Sequence, residues 1–214
     1  MKRAILIGLM GMLPIQWASA GIISAGLYAD DAAFSAVTGA VSLTGPLPDI
    51  GNQGTSVTLG GATLTAPNDI LVGSGWSTLL PNARAIAISG VENIEVSIDA
   101  GAATAFGFYF QEPTATVMLD GCNTACVDSE FLVEFLSGGS VLDSQSFNAL
   151  DDRALFIGFI LDEAFDAVRF TETGGSDNEF FGEMFVARVP EPATLGLLAA
   201  GLLGFGFTRR RRSA

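Results

Sequence analysis

The chain has 214 residues, 49% of them apolar and 15% charged, with 23 acidic side chains, 10 basic ones and no histidine. That composition can build a core, so a disordered polyelectrolyte is excluded, and the length leaves room for one ordinary domain between terminal signals. The missing histidine removes the commonest general base, the usual activator of a serine or cysteine nucleophile, and HExxH zinc hydrolysis.

Residues 1–20 read MKRAILIGLMGMLPIQWASA. Lys2 and Arg3 make a positive start, Ala4 to Leu13 an apolar stretch too short to span a bilayer comfortably, and Ala18-Ser19-Ala20 a small-residue cleavage site. This is the layout of a secretory signal peptide, and it predicts cleavage by signal peptidase and a mature start at Gly21. Residues 21–189 form the exported domain. They hold four basic and twenty-two acidic side chains, a net charge of −18. Such a surface is repelled by phosphate backbones, so nucleic acid is excluded as a partner.

Within the domain, polar and apolar residues alternate with period 2 between clusters of Gly, Asn, Asp, Pro and Ser. AAFSAV (32–37) is expected to make a turn of helix at most. AVTGAVSLTG, TSVTLGG and ATLTA are plausible short strands, rich in Thr and Val. In NIEVSID, Ile94, Val96 and Ile98 face one way, and in TAFGFYF so do Phe106, Phe108 and Phe110. SEFLVEFLSGGSVLDSQSF predicts a hairpin turning at Gly138-Gly139. ALFIGFIL, AFDAVRFTET and NEFFGEMFVA predict three more strands. Many short strands without a long helix point to an all-β fold, an antiparallel β-sandwich of the jelly-roll kind.

Cys122 and Cys126 sit in DGCNTACVDSE. Export brings them to an oxidising compartment, where two thiols in one loop are expected to close a disulfide. Two thiolates without histidine make an incomplete zinc site. Hard oxygen ligands for calcium cluster in two places: Asp120, Asn123 and Asp128 in the cysteine loop, and Asp177, Asn178 and Glu179 before the last strand. Neither follows EF-hand spacing, and the same residues also serve as turn formers. Calcium is therefore the one cofactor the sequence suggests. Trp76, in the loop GSGWS, and Tyr109, opposite the Phe106–Phe110 stripe, are the aromatics suited to stacking on a sugar ring. Paired carboxylates such as Asp151, Asp152, Asp162 and Glu163 would be needed for glycan hydrolysis, and nothing sets them apart from solvated loop acids.

The chain ends VPEPATLGLLAAGLLGFGFTRRRRSA, which comprises residues 189–214. Pro190-Glu191-Pro192 resists helix and sheet alike. Ala193 to Thr208 is apolar or small throughout, about 24 Å long as a helix. Arg209, Arg210, Arg211 and Arg212 would stay cytoplasmic by the positive-inside rule, which leaves the acidic domain outside. The N-terminal signal demands the same topology.

This order of V-P-E-P, short Gly/Leu-rich span and arginine cluster over 190–214 closely resembles the PEP-CTERM sorting signal. Proteins bearing it are handled by exosortase, an integral-membrane cysteine protease of Gram-negative bacteria that make exopolysaccharide. The resemblance implies transient anchoring in the inner membrane, cleavage near Pro190–Pro192, and delivery to the cell surface or extracellular matrix. The fragments FGFYFQEPT, CNTACVDSEFLVEF, FNALDDRALFIGFI and DNEFFGEMFVA are also similar to sandwich domains found ahead of this signal, where an Asp-Asn or Asp-Asp step commonly precedes the last strand's aromatic residues. The resulting expectation is a non-enzymatic surface or matrix component, in contact with exopolysaccharide. The rivals are a carbohydrate-binding module and a carboxylate-based glycan hydrolase.

Overall fold

The computed structural model describes residues 21–99, 101–112, 129–149, 153–174 and 179–188. Along the chain come β1 (Ile22–Tyr28), α1 (Asp31–Thr38), β2 (Val41–Ser42), β3 (Gly51–Asn52), β4 (Ser56–Leu59), β5 (Ala62–Thr65), β6 (Ile70–Ser74) and β7 (Arg84–Ile88). There follow β8 (Ile94–Ile98), β9 (Ala103–Glu112), β10 (Glu130–Ser137), β11 (Ser140–Phe147), β12 (Arg153–Phe165), β13 (Ala167–Gly174) and β14 (Phe180–Arg188).

Alternation sorts these strands into two antiparallel sheets. The larger runs β1-β12-β9-β14-β7-β6-β3, with β2 also on β14, and the smaller runs β11-β10-β13-β8-β5-β4. One side of each sheet carries the apolar phase, and the two apolar sides face each other as a sandwich. Phe106, Phe108 and Phe110 of β9 meet Phe131 of β10 and Phe170 of β13, all fully buried. Ring centroids lie 5.0 Å apart for Phe108–Phe170 and 5.4 Å for Phe110–Phe131, both edge-to-face, the arrangement aromatic quadrupoles favour. The expected hairpin is present: Ser137 pairs with Ser140, leaving Gly138 and Gly139 as the turn at φ 56° and 80°. That left-handed pair is the two-residue hairpin geometry that glycine accepts without strain.

AVTGAVSLTG is not one strand. Its first residues close α1, an eight-residue helix, and only Val41–Ser42 are extended. The helix forms because both of its ends are specified. The Asp30 carboxylate accepts the Ala33 N–H at 2.8 Å, and Gly39 takes the left-handed conformation and donates to Ser35 O at 2.8 Å. Its one buried side chain, Phe34, lies on the outer side of the larger sheet with Phe156, Phe185 and Tyr28.

The pairing register fixes the ends of the sandwich. Ile22 pairs with Leu161 and Arg188 with Ala103, so the first and last described strands begin and finish at the same end. The opposite end is where β9, β11 and β13 finish and β10, β12 and β14 begin; Arg153 pairs with Glu112 there, and Glu130 with Gly174.

Candidate functional site

At that opposite end the core changes character. Following each core-facing phase one step past its apolar run gives an acid: Phe106, Phe108, Phe110, then Glu112; Val168, Phe170, then Glu172; and, read backwards, Ile98, Val96, Ile94, then Glu92, and Phe181, then Glu179. Ser129 continues Phe135, Val133 and Phe131 in the same way. Period 2 therefore points four carboxylates at the space between the sheets. Glu112 and Glu179 are 0% exposed and Glu92 1%, while Glu172 is half-buried.

One oxygen each from Glu92, Glu172 and Glu179 lies within 4.8 Å of the other two. Backbone and hydroxyl donors position part of the group. Glu172 Oε2 accepts the Glu92 N–H at 3.1 Å, and Glu172 Oε1 accepts the Ser129 hydroxyl at 3.4 Å. Asn93 Oδ1 accepts the Glu172 N–H at 2.9 Å, and Glu112 Oε1 accepts the Ser129 N–H at 2.8 Å. Neither oxygen of Glu179, nor Oε2 of Glu92, accepts a hydrogen bond. Among the described residues no arginine pairs with Glu92, Glu172 or Glu179; Arg169 is engaged on the outer side of the smaller sheet by Glu95 and Glu134. Burial first, and the neighbouring carboxylates second, push the Glu92 and Glu179 carboxyls well above the ordinary carboxylate range.

Of the residues anticipated from sequence, only Glu179 belongs to this group. Ala18, Ala20, Asp120, Cys122, Asn123, Cys126, Asp128, Asp151, Asp152, Asp177, Asn178, Pro190, Glu191, Pro192 and Arg209 to Arg212 lie outside the described residues. Asp162 and Glu163 stand at the far end of β12, away from the cluster. Asp162 Oδ1 there accepts the Gly21 N–H at 2.7 Å.

The two aromatics are not open stacking platforms. Trp76 packs half-buried against the outer-side cluster of Leu80, Ala85, Ala87 and Phe180. The Tyr109 ring meets Phe156 edge-on at 4.9 Å, and its hydroxyl donates to Asp31 Oδ1 at 2.6 Å. Burial and that contact push its pKa up to about 12. Among the described residues no aromatic side chain is exposed. A cleft of about 310 Å³ opens between the edge strands β1 and β11, lined by Leu27, Phe147, Leu155, Ile157 and Phe159 among others.

Among the described residues no helix is long and apolar enough to cross a membrane. No curated protein matches this sequence. Among solved structures the chain is similar to a mutant of CBM29-2, a family 29 carbohydrate binding module, at 9% identity and TM-score 0.37, covering 72% of this chain and 98% of that one. It is also similar to the xylan-binding domain from CBM 22, at 13% identity and TM-score 0.38 over 66% and 97%. A third is the enzymatically active domain of bacteriophage CBA120 tailspike protein 4, at 16% and 0.31 over 65% and 19%. Likeness this distant carries nothing about the ligand of this chain. The family model for the PEP-CTERM protein-sorting motif matches residues 188–212. The chain is thus an antiparallel β-sandwich that carries a PEP-CTERM protein-sorting motif, beginning on the last residue of its last strand.

Proposed function

We propose that this chain is a non-enzymatic component of the cell surface or exopolysaccharide matrix of a Gram-negative bacterium. Signal peptidase frees it at Gly21, the C-terminal apolar segment parks it in the inner membrane, and exosortase releases it by cutting near Pro190–Pro192. The observation that carries the reading is the sorting motif at 188–212, abutting β14. Only residues 189–192 separate Arg188 from the apolar segment, a reach of under about 20 Å. The sandwich is therefore held close above the bilayer until the cut is made. Its −18 charge keeps it soluble afterwards and suits bridging to anionic polymer through divalent cations. The fold is read as an enlarged jelly roll, a scaffold without catalytic machinery of its own.

Replacing Pro190 and Pro192 together by alanine tests the sorting step. The reading expects wild-type protein in the surface or medium fraction and the double variant retained in the inner membrane. Equal partition of the two would refute it. Retention of the released domain on exopolysaccharide from the same host, with and without EDTA, tests the matrix role.

A further inference from the structure

We infer that Glu92, Glu172 and Glu179 form a binding site for one hard divalent cation, calcium in the exported setting, that closes the end of the sandwich farthest from the sorting motif. Two regions distant in sequence deliver these acids to one place: the turn before β8 brings Glu92, and the β13–β14 connection brings Glu172 near the end of β13 and Glu179 just before β14. Their oxygens lie within 4.8 Å of one another, a spacing that oxygens sharing one ion adopt when each sits at 2.3–2.6 Å from it.

Proximity of acids alone would not suffice, because the domain is rich in them. The deciding feature is that Glu179 is 0% exposed with both carboxylate oxygens unpartnered, and Glu92 is 1% exposed with one unpartnered oxygen, all directed into the same space. A buried carboxylate without donor or counter-ion is costly, and a cluster of them repels itself. No described arginine offsets that cost. A divalent cation removes both penalties at once. The three carboxylates offer up to six oxygens in an irregular cage, which suits calcium better than magnesium, whose octahedron is strict and keeps its waters. Bound there, the ion would tie β13 and β14 of opposite sheets to each other and to the turn at Glu92.

The test uses the full-length chain, purified in detergent, stripped with EDTA and returned to chelator-free buffer. Calcium chloride is then titrated by calorimetry and by thermal melting, with magnesium chloride in parallel. One high-affinity calcium per chain and a rise in Tm of about 5–10 °C at saturating calcium are expected, with a smaller rise in magnesium. Glu179→Gln and Glu172→Gln should each weaken that binding by about tenfold or more. Stripped Glu179→Gln should melt no lower than stripped wild type, because it removes a buried charge; this separates loss of a ligand from loss of the fold. Glu130→Gln, on an exposed strand position, should leave binding unchanged. Absence of any calcium or magnesium response in the wild type would overturn the inference and mean that the carboxyls share protons instead. Full calcium affinity in Glu179→Gln would equally overturn it, by locating the binding elsewhere on the acidic surface.

Discussion

Gly107 of β9 and Gly158 of β12 are register partners, and the ring of Phe34 lies over both of them. A Cβ on Gly158 would come within 2.7 Å of Phe34 ring carbons, and one on Gly107 within 2.8 Å of Phe34 and 2.7 Å of Phe156. Two glycines side by side thus make the shallow trough in which α1 is seated on the outer side of the larger sheet. Gly158→Ala is expected to cost about 1–3 kcal/mol of stability through overpacking. A Phe34→Ala background should remove only part of that cost, since the Phe34 clash is gone and alanine loses less backbone entropy than glycine, while the Tyr28 ring, also 2.7 Å from the added Cβ, remains. Urea melts of the four proteins of this cycle measure it, and equal costs in the two backgrounds would show that the trough does not seat Phe34.

A second expectation concerns the mature N-terminus. The Gly21 nitrogen lies 2.7 Å from Asp162 Oδ1, and the next N–H, of Ile22, donates to Asp143 Oδ2 at 2.6 Å. Cleavage between Ala20 and Gly21 turns the first of these nitrogens into an α-ammonium, so a hydrogen bond becomes an ion pair. Exposed pairs of this kind contribute about 0.2–1 kcal/mol. Asp162→Asn should therefore lower Tm by about 1–4 °C in the chain that starts at Gly21, and by less in one carrying extra residues ahead of it. Paired thermal melts decide this; an equal fall in both chains would remove the ammonium from the account.

Arg169 bridges two strands, with Nη2 3.0 Å from Glu95 and Nη1 3.3 Å from Glu134. Its side chain is 40% exposed, so salt screens the pair energies. Arg169→Gln leaves the two glutamates facing each other across β13 without the cation between them. It should cost about 0.5–1 kcal/mol at low ionic strength and distinctly less in 0.5 M sodium chloride. A cost independent of salt would assign the role of Arg169 to packing of its aliphatic stem.

Much of the smaller sheet was legible because its outer face is wetter than its inner one. β8, β10 and β13 keep an alternation, and the Gly138-Gly139 turn fixes their neighbour β11. β9 was legible from its Phe106, Phe108 and Phe110 stripe although both of its faces are covered. β7 escaped notice because Ala85 to Ile88 are buried on both sides, which erases the period-2 signal. β1 escaped for the opposite reason: Ile23 to Leu27 are exposed on an edge, so Ile23 and Leu27 do not mark a core face. α1 was underestimated because its anchoring lies in caps and in two distant glycines, not in an apolar stripe of its own.

The acidic cluster was half legible. Glu179 stood out beside Asp177-Asn178, whereas neither Glu92 nor Glu172 did. The available signal was phase: each glutamate occupies the core-facing parity of its strand, one step beyond the last apolar residue. What no single segment reveals is that three such steps converge, since that depends on the pairing of β8 with β13 and on the packing of the two sheets.

The central claim, export followed by release at the sorting motif, is tested most directly by the intact mass of the protein recovered from the surface fraction of its host. Release at the motif predicts a chain that begins at Gly21 and has lost the apolar segment from Ala193 onward together with Arg209 to Arg212, two hydrogens lighter if Cys122 and Cys126 are joined. A product in the membrane fraction that still carries Arg209 to Arg212, with none released, would contradict it and make the C-terminal segment a permanent anchor.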